Sequence, residues 1–367
     1  MSQVSGNTRK NRNMSIELLR ILLMLMIVTL HYLGHGGMLD AVPPGGGRYV
    51  FVWTLETFSY IGVNGFVLIS GYYLAGSDFK IKKLIALLVQ IVSTSAAIYL
   101  IFVAMGLAPL TKGHLFGAFF PVITGKYWFA TSYVALYCLV PFLNMVVKTA
   151  TKQQMQILVV LLSAMFCSWN AFFPPLTIMS TNGGYHVVWM VCLYFFAAYL
   201  RLYWDRRISP YWYLAGAVLC CVFVAWKKCT GSDAFLSYVS VPITLASIFL
   251  FLFFRGVTIE NRAVGRVISF VSPLTFGVYL ISDNIWVRGV LYTGILHTSL
   301  YFDSAKILYI IPASVLAIFA ASMLLERVRA LFLRPFTGSA AFQRLCDWVA
   351  GLKFLRGYAS GQGGRAA

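Results

Sequence analysis

Apolar residues run along this chain in long blocks separated by short polar segments. The blocks fall at about 15–34, 50–74, 84–106, 127–147, 155–173, 185–204, 210–226, 236–254, 267–288 and 306–325. Each is close to the ~20 residues an α-helix needs to cross the hydrocarbon core of a bilayer. In lipid every backbone N–H and C=O must be paired, and a helix pairs them within one segment. The pattern therefore predicts an all-α polytopic membrane protein with about ten transmembrane helices. Block 210–226 is the shortest, and 84–106 carries Gln90 among several Ser and Thr. The first block is longer than a signal-peptide core and has no convincing cleavage site, so it is expected to be retained. No internal repeat of the kind many transporters show is evident.

Composition supports this reading. The chain is 60% hydrophobic and 11% charged, against about 25% charged for a soluble domain. A net charge of +18 would suggest a nucleic-acid partner in a soluble protein. Here the cations lie mostly between the blocks, so membrane lipids are the expected surroundings and no nucleic acid is expected. With the N-terminus inside, the inner segments hold 21 Lys and Arg and the outer ones 7, with Arg20 inside a span. That excess follows the positive-inside rule, and an even number of spans places both termini in the cytoplasm. The expected organisation is a cytoplasmic tail over 1–14, a ten-helix membrane domain over 15–325, and a basic cytoplasmic tail over 326–367. The last of these is partly amphipathic and suited to the membrane surface. The expected location is the cell membrane, as a multi-pass protein. Seven cysteines show no metal or redox spacing, so neither a disulfide nor a metal is expected.

Candidate chemistry begins in the first block, "IELLRILLMLMIVTLHYLGHGG" (16–37), which carries Glu17, Arg20, His31 and His35. Arg20 and His31 are eleven residues apart; at about 100° and about 1.5 Å per residue they share a helix face and lie about 16 Å apart. Glu17 is three residues before Arg20 and His35 four after His31, spacings that place each pair together. An ionisable group inside a span costs roughly 2.5–3.5 kcal/mol on insertion scales, so it faces a cavity or a partner. A snorkelling Glu17–Arg20 pair and a helix-packing His31 would account for these residues taken alone. Other spans, however, bring polar groups to similar depth: Glu56 in the outer half of the second, Asp283, Asn284 and Arg288 in the ninth, and Lys126 and Trp128 opening the fourth. Their convergence predicts a polar cavity with His31 as candidate base and Glu56 or Asp283 as the carboxylate that sets its tautomer. Ser70-Gly71 suits close helix approach, and Tyr279 either lines the cavity or packs. His114, His186 and His297 fall in loops or at a span end.

Arginine suits phosphate because its planar fork donates to two oxygens, and a histidine can deprotonate a hydroxyl. The stripe therefore fits a long anionic thioester donor of the shape of acyl-coenzyme A. The same cavity would also fit a transporter or flippase of a glycolipid or small solute, with His31 and Glu56 as proton relay.

Four segments carry a resemblance: "IELLRILLMLMIVTLH" (16–31), "NGFVLISGYYL" (64–74), "KYWFATSYVALYCLVPFLN" (126–144) and "SPLTFGVYLISDN" (272–284). In this order they resemble the signatures of the acyltransferase 3 family of integral membrane acyltransferases, over about residues 13–330. The resemblance implies transfer of an acyl group, commonly acetyl, from an acyl-CoA such as acetyl-CoA to a hydroxyl of an extracytoplasmic polysaccharide or lipid-linked sugar. It implies that His31 is the essential histidine, with Glu56 and Asp283 as catalytic candidates beside it, and that Arg20 helps bind the donor. Glu17, Lys126 and Trp128 join Arg20 as donor-binding candidates. In one place the chain departs from the family pattern. Where members often have His after Tyr-Leu-Ile, this chain has Ser282 followed by Asp283.

Overall fold

The computed structural model describes residues 13–169, 180–205 and 208–352, whose regular secondary structure is all helical, with no strand among them. Helix α1 covers Met14–His35; α2, Gly47–Ser59; α3, Ile61–Leu74; α4, Ile81–Ala104; α5, Lys112–Phe119; α6, Trp128–Thr149; and α7, Lys152–Leu162. Beyond residue 180, α8 covers Val187–Tyr203; α9, Pro210–Cys229; α10, Val241–Gly256; α11, Arg262–Val271; α12, Thr275–Ser282; α13, Ile307–Thr337; and α14, Ala340–Gly351.

Of the ten blocks, seven become helices or joined helix pairs long and apolar enough to cross a membrane, and two become the shorter apolar helices α8 and α10. The tenth, 155–173, starts as α7, continues as a π-turn over Ser163–Ser168 and then passes outside the described residues. The block expected to be shortest is a full twenty-residue helix, α9. Pro210 opens it, at the helix start where a missing N–H costs nothing. The second span is interrupted between α2 and α3. There the Ser59 hydroxyl donates to the Leu55 carbonyl at 2.7 Å, a back-bond to residue i−4 that bends helices.

Helix α1 is the hub. Asn13 caps it, its side chain accepting from the N–H groups of Ser15 and Ile16. It packs against α2, α3, α10, α11, α12 and α13. Small residues permit such crowding: a Cβ added at Gly71 of α3 would lie 3.0 Å from the Tyr194 Cα of α8.

Polar bonds tie the loops together at each end of the bundle. At the end holding residues 72–82, Asn144 of α6 accepts from the Gly76 N–H (2.6 Å) and donates to the carbonyls of Leu74 (3.1 Å) and Ser77 (2.9 Å). Arg201 donates to the Tyr72 carbonyl (2.8 Å) and Arg255 to the Trp204 carbonyl (3.1 Å). Cations thus satisfy carbonyls at or beyond helix C-termini, where the helix dipole favours positive charge. These arginines belong to the set that the charge count assigned to the inner side.

Gln90, the polar residue of α4, has a partner inside the bundle. Its side-chain amide donates to Glu326 of α13 at 2.9 Å, and Arg329 donates to both carboxylate oxygens of Glu326 at 2.7 and 2.6 Å. Glu326 is buried and lies directly over Gly277 of α12, where a Cβ would come within 2.2 Å of its Cγ and Cδ. Position 277 therefore has room only for glycine. Gly277→Ala is expected to displace the Glu326 carboxylate and lower stability by about 1–3 kcal/mol, the usual cost of overpacking. Thermal unfolding of the detergent-purified variant would show this as a lower midpoint; an unchanged midpoint would contradict the packing described.

Candidate active site

Two cavities lie beside α1, at different heights. The first, of about 380 Å³, is lined by Glu17, Arg20, Ser70, Gln90, Tyr133 and Thr275, among others. Glu17 lies in the first turn of α1, where an acidic residue suits the helix dipole. Its carboxylate accepts from the Ser272 hydroxyl and stands 3.8 Å from Arg20 Nε. Arg20 Nε is enclosed and has no hydrogen-bond partner among the described residues. The arginine is thus oriented by a carboxylate and keeps donor capacity toward the cavity.

The second cavity, of about 340 Å³, is lined by His31, His35, Glu56, Trp128, Tyr185 and Asp283, with other aromatic residues. One helical turn of α1 presents both histidines, their rings stacked 5.2 Å apart. Opposite them α12 ends at Ser282, and Asp283 is its C-cap. The buried Asp283 carboxylate gathers three cationic or imidazole groups on Oδ1: Arg288 Nη2 at 2.5 Å, His35 Nε2 at 3.1 Å and His31 Nε2 at 3.6 Å. Arg288 also donates through Nε to the Asp283 carbonyl at 2.8 Å, so the guanidinium braces both the side chain and the backbone of this residue.

The Ser282 hydroxyl lies 3.1 Å from His31 Nδ1 and 3.4 Å from the Tyr279 carbonyl. In the tautomer where it donates to the carbonyl, its oxygen accepts from His31 Nδ1–H. Nε2 then carries the lone pair. It is too far from Asp283 for a direct hydrogen bond, yet close enough for the carboxylate to stabilise an imidazolium once Nε2 takes a proton. Ser282, His31 and Asp283 resemble a nucleophile–base–acid set, but Ser282 is fully buried and does not line the cavity. Its hydroxyl holds the imidazole and has no path to a substrate.

Both candidate carboxylates, Glu56 and Asp283, line the cavity of His31, and Asp283 is the one in contact with the imidazole. Glu56 is buried with Oε2 unpaired among the described residues. Of the four donor-binding candidates, Glu17 and Arg20 share the first cavity. Trp128 lines the second, and Lys126 is exposed in the loop before α6, its stem against Gly117. The reason is the direction of α6, which begins at Trp128 on the side of His31. His35, Arg288 and Tyr185 also line the second cavity; the sequence names His35 and Arg288 among the polar groups of their spans without giving either a site role, and does not single out Tyr185. His35 follows His31 by one turn and Arg288 follows Asp283 by five residues, so spacing held a signal for those two.

His31, His35 and Asp283 also present ligand atoms within 4.8 Å of one another. Arg288 already occupies the Asp283 oxygen that faces both imidazoles.

The different pairing of the two carboxylates has a measurable consequence. Asp283→Asn weakens charge-assisted hydrogen bonds from Arg288 and His35 and is expected to cost about 1.5–3 kcal/mol. Glu56→Gln replaces a buried carboxyl group that has an unpaired oxygen with a neutral isostere and is expected to be neutral or stabilising. Unfolding midpoints of the two purified variants would separate these cases; an equal loss in both would contradict the assignment.

The family model described as an acyltransferase domain matches residues 13–327, nearly the whole of the bundle. No curated protein and no solved structure matches the chain. The match takes in both cavities and every residue described around them, and the chain belongs to the acyltransferase 3 family of membrane acyltransferases.

Proposed function

We propose that this membrane acyltransferase takes an acyl group, acetyl in the simplest case, from acyl-CoA in the cytoplasm. It passes the group to a hydroxyl of an extracytoplasmic polysaccharide or lipid-linked sugar at the cell membrane. The observation that carries the reading is the division of α1 between two cavities, one holding Arg20 and the other His31. The cationic bias of 21 to 7 favours the Arg20 side as cytoplasmic, where acyl-CoA is available. Arg20, oriented by Glu17, engages the anionic or polar parts of the donor arm.

On the other side Trp128, Tyr185 and Tyr238 offer aromatic faces around His31. The Trp128 and Tyr185 rings lie 4.4 Å apart, and Trp128 stacks on Tyr238 at 6.0 Å. Aromatic walls with a few placed polar groups suit a sugar, whose C–H faces pack on rings while its hydroxyls seek polar partners. In the reaction His31 Nε2 accepts the proton of an acceptor hydroxyl while the oxygen attacks the thioester carbonyl. The tetrahedral intermediate then collapses, the C–S bond breaks, and the CoA thiolate leaves as the imidazolium returns the proton. Asp283 stabilises the imidazolium in between, and Ser282 keeps Nδ1 protonated so that Nε2 serves as the base.

The test is transfer of labelled acetyl from acetyl-CoA to an isolated envelope glycan by the protein in proteoliposomes. His31→Ala is expected to reduce transfer by roughly 100- to 10,000-fold, the usual worth of a general base. Ser282→Ala leaves the base present but unheld, and a fall of roughly 5- to 10-fold in kcat is expected from the lost hydrogen bond. Trp128→Ala is expected to raise the KM for the acceptor and leave that for the donor unchanged. Full transfer by His31→Ala would overturn the reading.

A further inference from the structure

Between the two cavities stands a single side chain common to both. Phe129, in the first turn of α6, lines the Arg20 cavity and the His31 cavity, and no other lining residue is shared. Its ring is buried, parallel to Tyr133 at 6.0 Å and edge-on to Tyr279 at 5.6 Å. Tyr133 belongs to the Arg20 cavity and Tyr279 to the His31 cavity, where its ring lies 6.0 Å from that of His31. Phe276, on the Arg20 side, backs Tyr279 at 6.0 Å. A layer of aromatic rings thus crosses the path from Arg20 to His31, and Phe129 is the member that lines both cavities.

We propose that Phe129 is the coupling residue of this enzyme, a removable partition that joins the two cavities only when the donor's thioester arm displaces it. This rests on the reading that acyl-CoA enters on the Arg20 side. The ring is a neutral hydrocarbon that makes no hydrogen bond through its side chain, so rotation about χ1 breaks no polar contact. The neighbouring rings offer flat apolar surfaces on which it can come to rest. With the partition closed, water on the donor side has no route to the base. An open partition would let water replace the acceptor: water adds to the thioester carbonyl, the C–S bond breaks, and the products are the free carboxylic acid and CoA thiol.

Two measurements on the full chain in proteoliposomes test this. In the first, Leu30→Cys places a thiol in the His31 cavity, and a small membrane-impermeant methanethiosulfonate is applied from one side at a time. Mass spectrometry of the Leu30→Cys peptide separates its labelling from that of the seven native free thiols. Labelling from the Arg20 side is expected to be slow when Phe129 is present and at least about tenfold faster with Phe129→Ala, because the barrier is steric exclusion from a closed site. Labelling from the His31 side is expected to be the same in both. Equal rates from the Arg20 side with and without Phe129 would overturn the partition, whatever the substrate. The second measurement is the ratio of acetyl-CoA hydrolysis to acetyl transfer, which is expected to rise several-fold in Phe129→Ala and to stay low in Phe129→Leu. A rise in labelling with no change in that ratio would keep the partition and remove its coupling role. If wild-type protein neither hydrolyses acetyl-CoA nor transfers from it, the donor reading and the coupling role both fail, and the labelling result alone decides whether the partition exists.

Discussion

The buried carboxylate of Asp283 is the interaction on which the rest of the site depends. A carboxylate inside an apolar bundle persists only with partners. This one has Arg288 on its oxygen and its backbone, His35 at hydrogen-bond distance and His31 just beyond it. That arrangement dictates where α12 must end, because Asp283 is its C-cap and Arg288 must reach back five residues. It also dictates the register of α1, because both histidines must face the same oxygen. The Ser282 hydroxyl, placed by the same helix end, then meets Nδ1 of His31 at 3.1 Å. The setting of the imidazole is thus a product of charge burial at one helix terminus.

The remaining polar groups of the spans follow the same rule and are not all chemical. Gln90, Glu326 and Arg329 satisfy one another, with Gly277 giving them space. Asn144 satisfies the turn after α3. Asn64 accepts from the buried Trp189 indole and donates to the Tyr238 carbonyl. These residues join helices that have no hydrophobic drive to associate in lipid. Among the buried polar atoms with no hydrogen-bond partner in the described residues, Arg20 Nε, Glu56 Oε2, the Tyr279 hydroxyl and Asp283 Oδ2 belong to side chains that line the two cavities.

Much of this was legible in the sequence because membrane helices announce themselves by length and hydropathy, and because ionisable residues in such blocks are rare. The eleven-residue interval from Arg20 to His31 placed them on one face, and the helix carries them to two cavities in line. Glu56 was readable by depth alone. Two things were not readable. The interruption of the second span at Tyr60 is a local backbone feature with no trace in hydropathy. The partner of the imidazole depended on where α12 stops, so Asp283 and Glu56 were indistinguishable until that terminus was seen. The sequence places Trp128 at the outer end of its span, the end of His31, and α6 does start there. The same direction brings Phe129 between the two cavities, a position that only the packing of α6 against α12 reveals.

On the reading proposed above, His31 performs acyl transfer to a sugar on the far side of the membrane. The most direct measurement is the ester-linked acetyl content of surface glycan from cells with the intact gene, with His31→Ala and without the gene. The esters are expected to disappear in both altered strains while the variant protein is still made and inserted. Esters that persist at full level in cells making only the His31→Ala protein, but vanish without the gene, would contradict the assignment of the base. Esters that persist without the gene, in cells with no second copy of the activity, would contradict the glycan as acceptor.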